Sequence, residues 1–463
     1  MKPYRIPIAA SVRLPAAVIT LALMTSCHSR APICLGNDCR PFALEGTLSG
    51  LVGSGLQLVN NSQEPGIGFA GTAANGTQVV FGVGFFNATY SLTIQTQPTS
   101  PAQTCIITNG SGPAGNTAVT NIAVTCTTNP PRFAYVANQG SNSISAYSID
   151  PATGTLAAIA GSPFAAGNLP VAIAVDQSGH FAYVVNQMDA TLSEFSIDRD
   201  SGALTEVSGS PFATGLSPTS VAIDPSSSFV YVANGGAGSV SAYAITAASG
   251  SLTAITGSPY AAGNSPSSVA VDALGIYVYV TNKADGTFSA FGIERPAGSL
   301  MVTLDSPFPA GRGPQAVVTD PSGGYVYVAN GAANSLSIFT GIGLGTPMRV
   351  GESAYQTGST PYSMAIDPLS RFLYVANQGS NNISGFEVLV GSGLAPLATP
   401  TFAAGAEPSS VVVDPTGKFT YVVNTGSNTV SVYAIDATSG ALSPISGSPF
   451  ATGTQPAAIA ISD

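Results

Sequence analysis

The sequence predicts an all-β chain: a seven-bladed β-propeller of four-stranded blades, closed by its C-terminal strand and preceded by a small β-sandwich domain. Three observations predict it. Tyr-Val-Ala-Asn or a near relative recurs seven times, with its asparagine at Asn138, Asn186, Asn234, Asn282, Asn330, Asn377 and Asn424, spaced by 48, 48, 48, 48, 47 and 47 residues. A fixed period of this length marks a repeat architecture. A proline-led strand also recurs seven times, from Pro170, Pro218, Pro266, Pro314, Pro361, Pro408 and Pro456, one step out of phase. The repeat region therefore opens with three strands and ends with the missing one, which together make a whole unit. That is the pattern of a closed ring, whereas an open stack needs polar capping repeats at both ends. Finally, no stretch sustains a 3.6-residue apolar period, and short alternating runs are separated by Gly, Asn, Asp, Ser and Pro throughout, which is strand and turn chemistry.

The elements follow in order. Residues 1–27 read as a secretion signal: Lys2, Arg5 and Arg13 form the positive end, and residues 14–24 form an apolar stretch too short to span a bilayer. Small residues then run into Cys27, a pattern that resembles the bacterial lipoprotein signal. This implies lipidation of Cys27 and attachment to the bacterial membrane; Met24 is an imperfect fit, and an ordinary cleaved signal is the alternative. Residues 28–41 are a linker, in which Cys34 and Cys39 are spaced for a small local bridge. Residues 42–128 alternate short strands (56–59, 79–83, 90–95, 105–108 and 122–125) with Gly, Asn and Ser turns, predicting a small antiparallel β-sandwich. Cys105 and Cys126 lie in neighbouring strands, and a bridge between them suits an oxidising compartment. The segment around Tyr90 with these two cysteines resembles a module of bacterial surface proteins, which implies a spacer. Asn129, Pro130 and Pro131 form a stiff junction, and residues 132–463 form the propeller.

Within one unit, an apolar strand from Phe181 ends at Asn186, and a second strand runs from Thr191 to Ile197. A third lies near Leu204, and the chain passes Ser210-Pro211-Phe212 into the alanine- and valine-rich strand around Val221. Small side chains suit the innermost strand, where blades converge. The Tyr-Val strand is apolar on both faces because each blade is sandwiched between two others. A closed ring leaves few free strand edges, consistent with a monomer.

Thirteen basic and twenty-three acidic residues among 463 leave no basic stripe, so nucleic acid is excluded as a partner. The Tyr-Val-Ala-Asn blades, the Ser-x-Ser-x-Tyr-x-Ile-Asp strands and the Gly-x-x-Pro-x-x-Ile-Ala-Val-Asp-Pro segments together resemble the YVTN-repeat propellers. They also resemble the related lactonase-type propellers, including 6-phosphogluconolactonase, over residues 132–463. That resemblance implies a lactonase, a carboxylic ester hydrolase acting on a sugar lactone. It also implies a Gly-x-Gly-Pro-Arg-His element with a basic pair at the channel mouth. The nearest match here is Gly311-Arg312-Gly313-Pro314-Gln315-Ala316, in which Gln315 and Ala316 replace the pair.

No other residues visibly replace that chemistry, which needs a group to activate water and donors for the oxyanion. His28 adjoins Cys27, and His180 sits in a turn where other units carry Ser228, Ile276, Gly324, Arg371 or Lys418. The repeated Asp176, Asp224, Asp272, Asp320, Asp367 and Asp414 each precede a turn and read as caps of local backbone amides; no metal site and no cofactor is expected. The repeated asparagines read as braces of the following loop. Loops entering the innermost strand and loops leaving the Tyr-Val strand share one face, carrying Asn168, Gln187, Asp189, Asn264, Lys283, Asp285, Arg312, Glu407 and Gln455. Arg312, Lys283 and Glu407 are the leading ligand candidates there. Arg349 and Glu352 belong to the most divergent unit. These residues favour a surface-anchored propeller that binds a protein, polymer or small ligand through one loop face. A lactonase-type hydrolase is the alternative, and an envelope structural or adhesive protein the second alternative.

Overall fold

The computed structural model describes residues 41–463, apart from segments at 53–55, 61–66, 70–76, 86–88, 99–102, 114–117, 130–131, 341–346, 351–354, 390–392 and residue 463. The expected signal segment, Cys27, His28, Cys34, Cys39, Pro130, Pro131 and Glu352 lie outside the described residues.

Seven sheets form the ring. In each, a proline-led inner strand pairs with the Tyr-Val strand, which pairs with a third and then an outer strand, all antiparallel. We number the blades from the one containing Phe133–Asn138. The C-terminal strand Pro456–Ser462 pairs with Phe133–Asn138, placing Ala458 opposite Ala137 and Ile461 opposite Ala134, so the last strand completes the first blade as expected.

The outer strand departs from the expectation. In the second blade it is two pieces, Leu204–Glu206 and Phe212–Ala213, both pairing with Thr191–Ile197. Between them Ser210 Oγ accepts the Glu194 N–H at 2.9 Å, occupying the donor that the break leaves open. Ser162, Ser258, Ser306 and Ser448 do the same in other blades. The sixth blade lacks this serine, and its outer strand Gly393–Ala403 is continuous.

Repetition of the signature residues has physical causes. Each Asn side chain bonds the hydroxyls that open the third strand; Asn186 Nδ2 reaches Ser193 Oγ at 2.8 Å, and Asn424 Nδ2 reaches Ser431 Oγ at 2.9 Å. A glycine lies against each Asn: a Cβ added to Gly311 would sit 2.5 Å from Asn330 Cγ. Each Asp caps its turn, as where Asp224 Oδ1 accepts the N–H groups of Ser228 and Phe229 at 2.7 and 2.8 Å. Tyrosines tie blades together. Tyr135 OH donates to Gly202 O at 2.9 Å, and Tyr421 OH donates to Gly154 O at 3.2 Å across the closing seam.

The N-terminal domain is two four-stranded sheets. One orders Thr77–Phe85, Pro41–Ser49, Val119–Thr128 and Gln103–Thr108; the other orders Ile67–Phe69, Leu56–Asn60, Thr89–Thr96 and Ser111–Pro113. Leu44, Leu58, Phe81, Leu92 and Val124 fill the space between. Cys105 and Cys126 face each other in paired strands and are bridged. The sandwich is not wholly antiparallel, because Pro41–Ser49 runs parallel to Val119–Thr128. Two strands that do not follow one another in sequence are free to pair in that sense.

Candidate functional site

The inner strands converge on a cavity of about 410 Å³ at the face where the chain enters them. Backbone geometry fixes that face. The residue before each proline has a left-handed backbone: φ is 57° at Leu169, 57° at Ser265, 52° at Thr360 and 52° at Glu407. Its carbonyl accepts the N–H of the residue following the repeated Asn, as from Gln187 to Leu169 at 3.0 Å, Lys283 to Ser265 at 3.0 Å and Gln378 to Thr360 at 2.9 Å. Both loops of a blade are thus locked together, and the residue after Asn is carried to the rim of the cavity. A non-glycine residue held left-handed is strained, and this ring holds six such positions (Leu169, Ser217, Ser265, Thr360, Glu407 and Gln455).

Two tiers of side chains line the cavity. The upper tier follows the asparagines and includes Gln139, Gln187, Lys283, Gln378 and Thr425; the lower follows the prolines and includes Ser267, Gln315, Ala316, Tyr362 and Ser409. Many hydroxyls of the lower tier are spent between blades: Ser267 Oγ donates to Pro314 O at 2.9 Å, and Ser409 Oγ donates to Ala457 O at 2.9 Å. Among the described residues, the side chains of Gln139, Gln187, Gln315, Gln378 and Lys283 take no hydrogen-bonding partner from the protein. Lys283 is, among the described residues, the one charged residue of the lining, and burial pushes the Tyr362 phenol up. No imidazole, carboxylate or thiol among the described residues lines the cavity. Among the described residues no group of three or more His, Cys, Asp or Glu is placed to hold a metal ion.

The sequence candidates divide accordingly. Lys283 reaches the cavity. Arg312 and Glu407 are exposed on the rim but outside the lining, and Glu407 works through its backbone, its N–H donating to Asn381 Oδ1 at 2.8 Å. Asn168 and Asp189 satisfy each other: Asp189 accepts the Asn168 Nδ2 and backbone N–H at 2.8 and 2.7 Å, and these amides hold its carboxyl below the usual range. Asn264 and Asp285 repeat the arrangement two units later, Asp285 accepting the Asn264 backbone N–H and Nδ2 at 2.6 and 2.8 Å and also held low. These four are loop clasps. His180 is exposed in its turn, its Nδ1 2.7 Å from Ser178 Oγ, and Arg349 bonds Ser337 in its own blade at 3.4 Å. The uncharged Gln139, Gln315, Gln378 and Tyr362 are site residues that a search for charge passes over; Gln315 and Tyr362 stand out from the smaller residues that follow the other prolines, and Gln139 and Gln378 share their position after the repeated asparagine with Gln187.

Gln315 and Ala316 line the cavity, so the positions of the Pro-Arg-His resemblance fall on its wall. The chain matches the family model described as "Lactonase, 7-bladed beta-propeller" over residues 91–215, 220–401 and 396–461. It belongs to that family. No curated protein matches this lactonase-family chain in sequence. Solved structures share its fold. A protein from Bacteroides uniformis named as a candidate 6-phosphogluconolactonase is 19% identical, covering 72% of this chain and 100% of its own, with a TM-score of 0.64. Its counterpart from Bacteroides fragilis is 18% identical, covering 73% and 99%, with a TM-score of 0.65. The periplasmic gluconolactonase PpgL of Pseudomonas aeruginosa is 19% identical, covering 72% and 99%, with a TM-score of 0.62. This lactonase-family propeller keeps the scaffold and carries glutamine and alanine where the resemblance implies a basic pair.

Proposed function

We propose that the protein is an exported hydrolase of a sugar lactone, working in the central cavity. The observation that carries this reading is Lys283, an unpaired ammonium on a wall otherwise made of neutral amides and hydroxyls, in a chain of the lactonase family. Its Nζ donates to the lactone carbonyl oxygen, and the glutamine amides hold the sugar hydroxyls. Water adds to the carbonyl carbon, the ring C–O bond breaks, and the departing oxygen takes the proton, giving a hydroxy acid. A preorganised donor at the developing oxyanion is worth about 10²-fold in rate.

Lactone opening by the purified protein, followed in a pH-stat against gluconolactone, is expected to exceed the spontaneous rate and to fall about 10²-fold in Lys283→Ala. With no imidazole or carboxylate in the lining, the rate is expected to rise with pH across neutrality, without the plateau of a titrating general base. Equal rates in wild type and variant would overturn the assignment of Lys283. That same lack of a base favours a second reading, capture of the ligand without turnover, which a wild-type rate equal to background would support.

Export and anchoring belong to the same proposal. The Cys105–Cys126 bridge supports an oxidising compartment, and Cys27 is the acceptor for lipid. Cys27→Ser is expected to move the protein from the membrane fraction to the soluble fraction; unchanged fractionation would refute anchoring through this residue.

A further inference from the structure

Around the cavity mouth the scaffold repeats seven times but its chemistry does not. The residue after the repeated asparagine is glutamine in the first, second and sixth blades (Gln139, Gln187, Gln378), glycine in the third and fifth (Gly235, Gly331), lysine in the fourth (Lys283) and threonine in the seventh (Thr425). In this tier Lys283 therefore has glycine on each side, and the tier's amides begin two blades away in either direction; below it, Gln315 of the lower tier brings one amide to the fifth blade. The mouth has a polar axis, cationic at one end and amide-rich at the other.

Among the described residues the charge at the cationic end is a single ammonium, and no arginine lines the cavity. A carboxylate brings one negative charge. A phosphate monoester brings about 1.5 to 2 at neutral pH, and its extra charge would enter a cavity with no second cation to meet it. The net charge of the chain, −10, opposes it further.

We propose that the cavity selects unphosphorylated sugar lactones and their monocarboxylate products, with the carboxyl end on Lys283 between Gly235 and Gly331 and the hydroxyls on Gln139, Gln187 and Gln378. This inference rests on the lactone reading above and adds the charge and direction of the substrate.

Calorimetric titration of the full chain with gluconate and with 6-phosphogluconate tests it, using wild type, Lys283→Gln and Gly331→Gln. Gly331 has no positive φ, and a Cβ there would meet Gly313 O and Pro361 O at 3.4 Å, so the fold accepts a side chain that fills the gap. Wild type is expected to bind gluconate at least about tenfold more tightly than 6-phosphogluconate, a ratio readily resolved in Kd. Both variants are expected to lose at least about tenfold in gluconate affinity with thermal stability unchanged. Equal or tighter binding of the phosphorylated acid would overturn the proposal. So would retained gluconate affinity in Lys283→Gln, or a loss that follows Arg312→Ala instead. Gluconolactone hydrolysis without the charge preference removes this inference and leaves the lactone reading standing; neither hydrolysis nor gluconate binding removes both.

Discussion

Deletion of residues 456–463 is expected to leave a propeller that does not fold stably. The strand removed supplies the inner-strand position of the first blade and pairs with Phe133–Asn138 from Pro456 opposite Asn138 to Ser462 opposite Phe133. It buries Ile459 to 4% exposure and Ala460 to 9%. It also accepts the Arg132 N–H at Ser462 O at 2.9 Å and the Ser409 hydroxyl at Ala457 O at 2.9 Å. Burial of one Ile is worth roughly 2–3 kcal/mol, and each ladder or side-chain bond about 1 kcal/mol. Together the loss is on the order of 10 kcal/mol, comparable with the whole stability of an ordinary domain. Opening the seam also strips the facing surfaces of the first and seventh blades. Circular dichroism melting should show a cooperative transition in the full chain and none at the same temperature in the truncation. A transition shifted by only a few degrees would mean that the blades do not depend on closure.

Glu194→Gln is expected to stabilise the protein by about 3 kcal/mol near pH 8 and to do little below about pH 4.5. Glu194 is fully buried opposite Tyr183, and neither carboxyl oxygen has a partner among the described residues. Where it stands, the other blades carry Ala146, Ala242, Ala290, Ile338, Gly385 and Val432. It lies against the next blade, where a Cβ on Gly250 would sit 2.3 Å from its Oε1. Burial pushes its carboxyl up to about 7 from 4.5. The folded state therefore holds a proton that the unfolded chain releases near pH 4.5. Stability is undiminished below that value, declines as pH rises through 4.5 to 7, and stays lowered above. At 1.36 kcal/mol per pH unit the deficit reaches about 3 kcal/mol. The amide removes the ionisation and with it the slope. Urea unfolding of both proteins at several pH values measures this; parallel pH profiles would show that Glu194 is solvated or paired in solution.

Most of the fold is legible in the sequence because ring geometry imposes one requirement seven times. Asn330 must reach the third strand, Gly311 must give it room, and Asp224 must close the turn below, so each residue recurs at a fixed interval. The outer strand is less legible: a strand is read near Leu204 and Phe212 only as part of the passage to the next blade, and nothing in the sequence announces that Ser210 joins the two across one partner strand. The parallel strand Pro41–Ser49 is hidden because sheet neighbours distant in sequence leave no local signal. At the site, Lys283 is legible as the one charge in a repeat position otherwise held by glutamine, glycine and threonine. Asp189 and Asp285 mislead because their partners, Asn168 and Asn264, lie 21 residues away and look equally free. Gln139 and Gln378 escape notice because an amide binds a hydroxyl without carrying charge, and Gln315 reads only as a missing arginine. Glu194 was equally visible as a break in its repeat position, and only burial gives it meaning.

The parallel pair in the sandwich bears on how the domain would carry load. Because Pro41–Ser49 and Val119–Thr128 run the same way, the chain enters at one end of the sheet and leaves at the other, roughly 30 Å away at about 3.3 Å per residue. If the N-terminus is anchored as proposed above, tension between it and a held propeller would act along both strands at once. Their bonds would be sheared together instead of being peeled one by one, and the Cys105–Cys126 bridge staples the neighbouring strand to the loaded one.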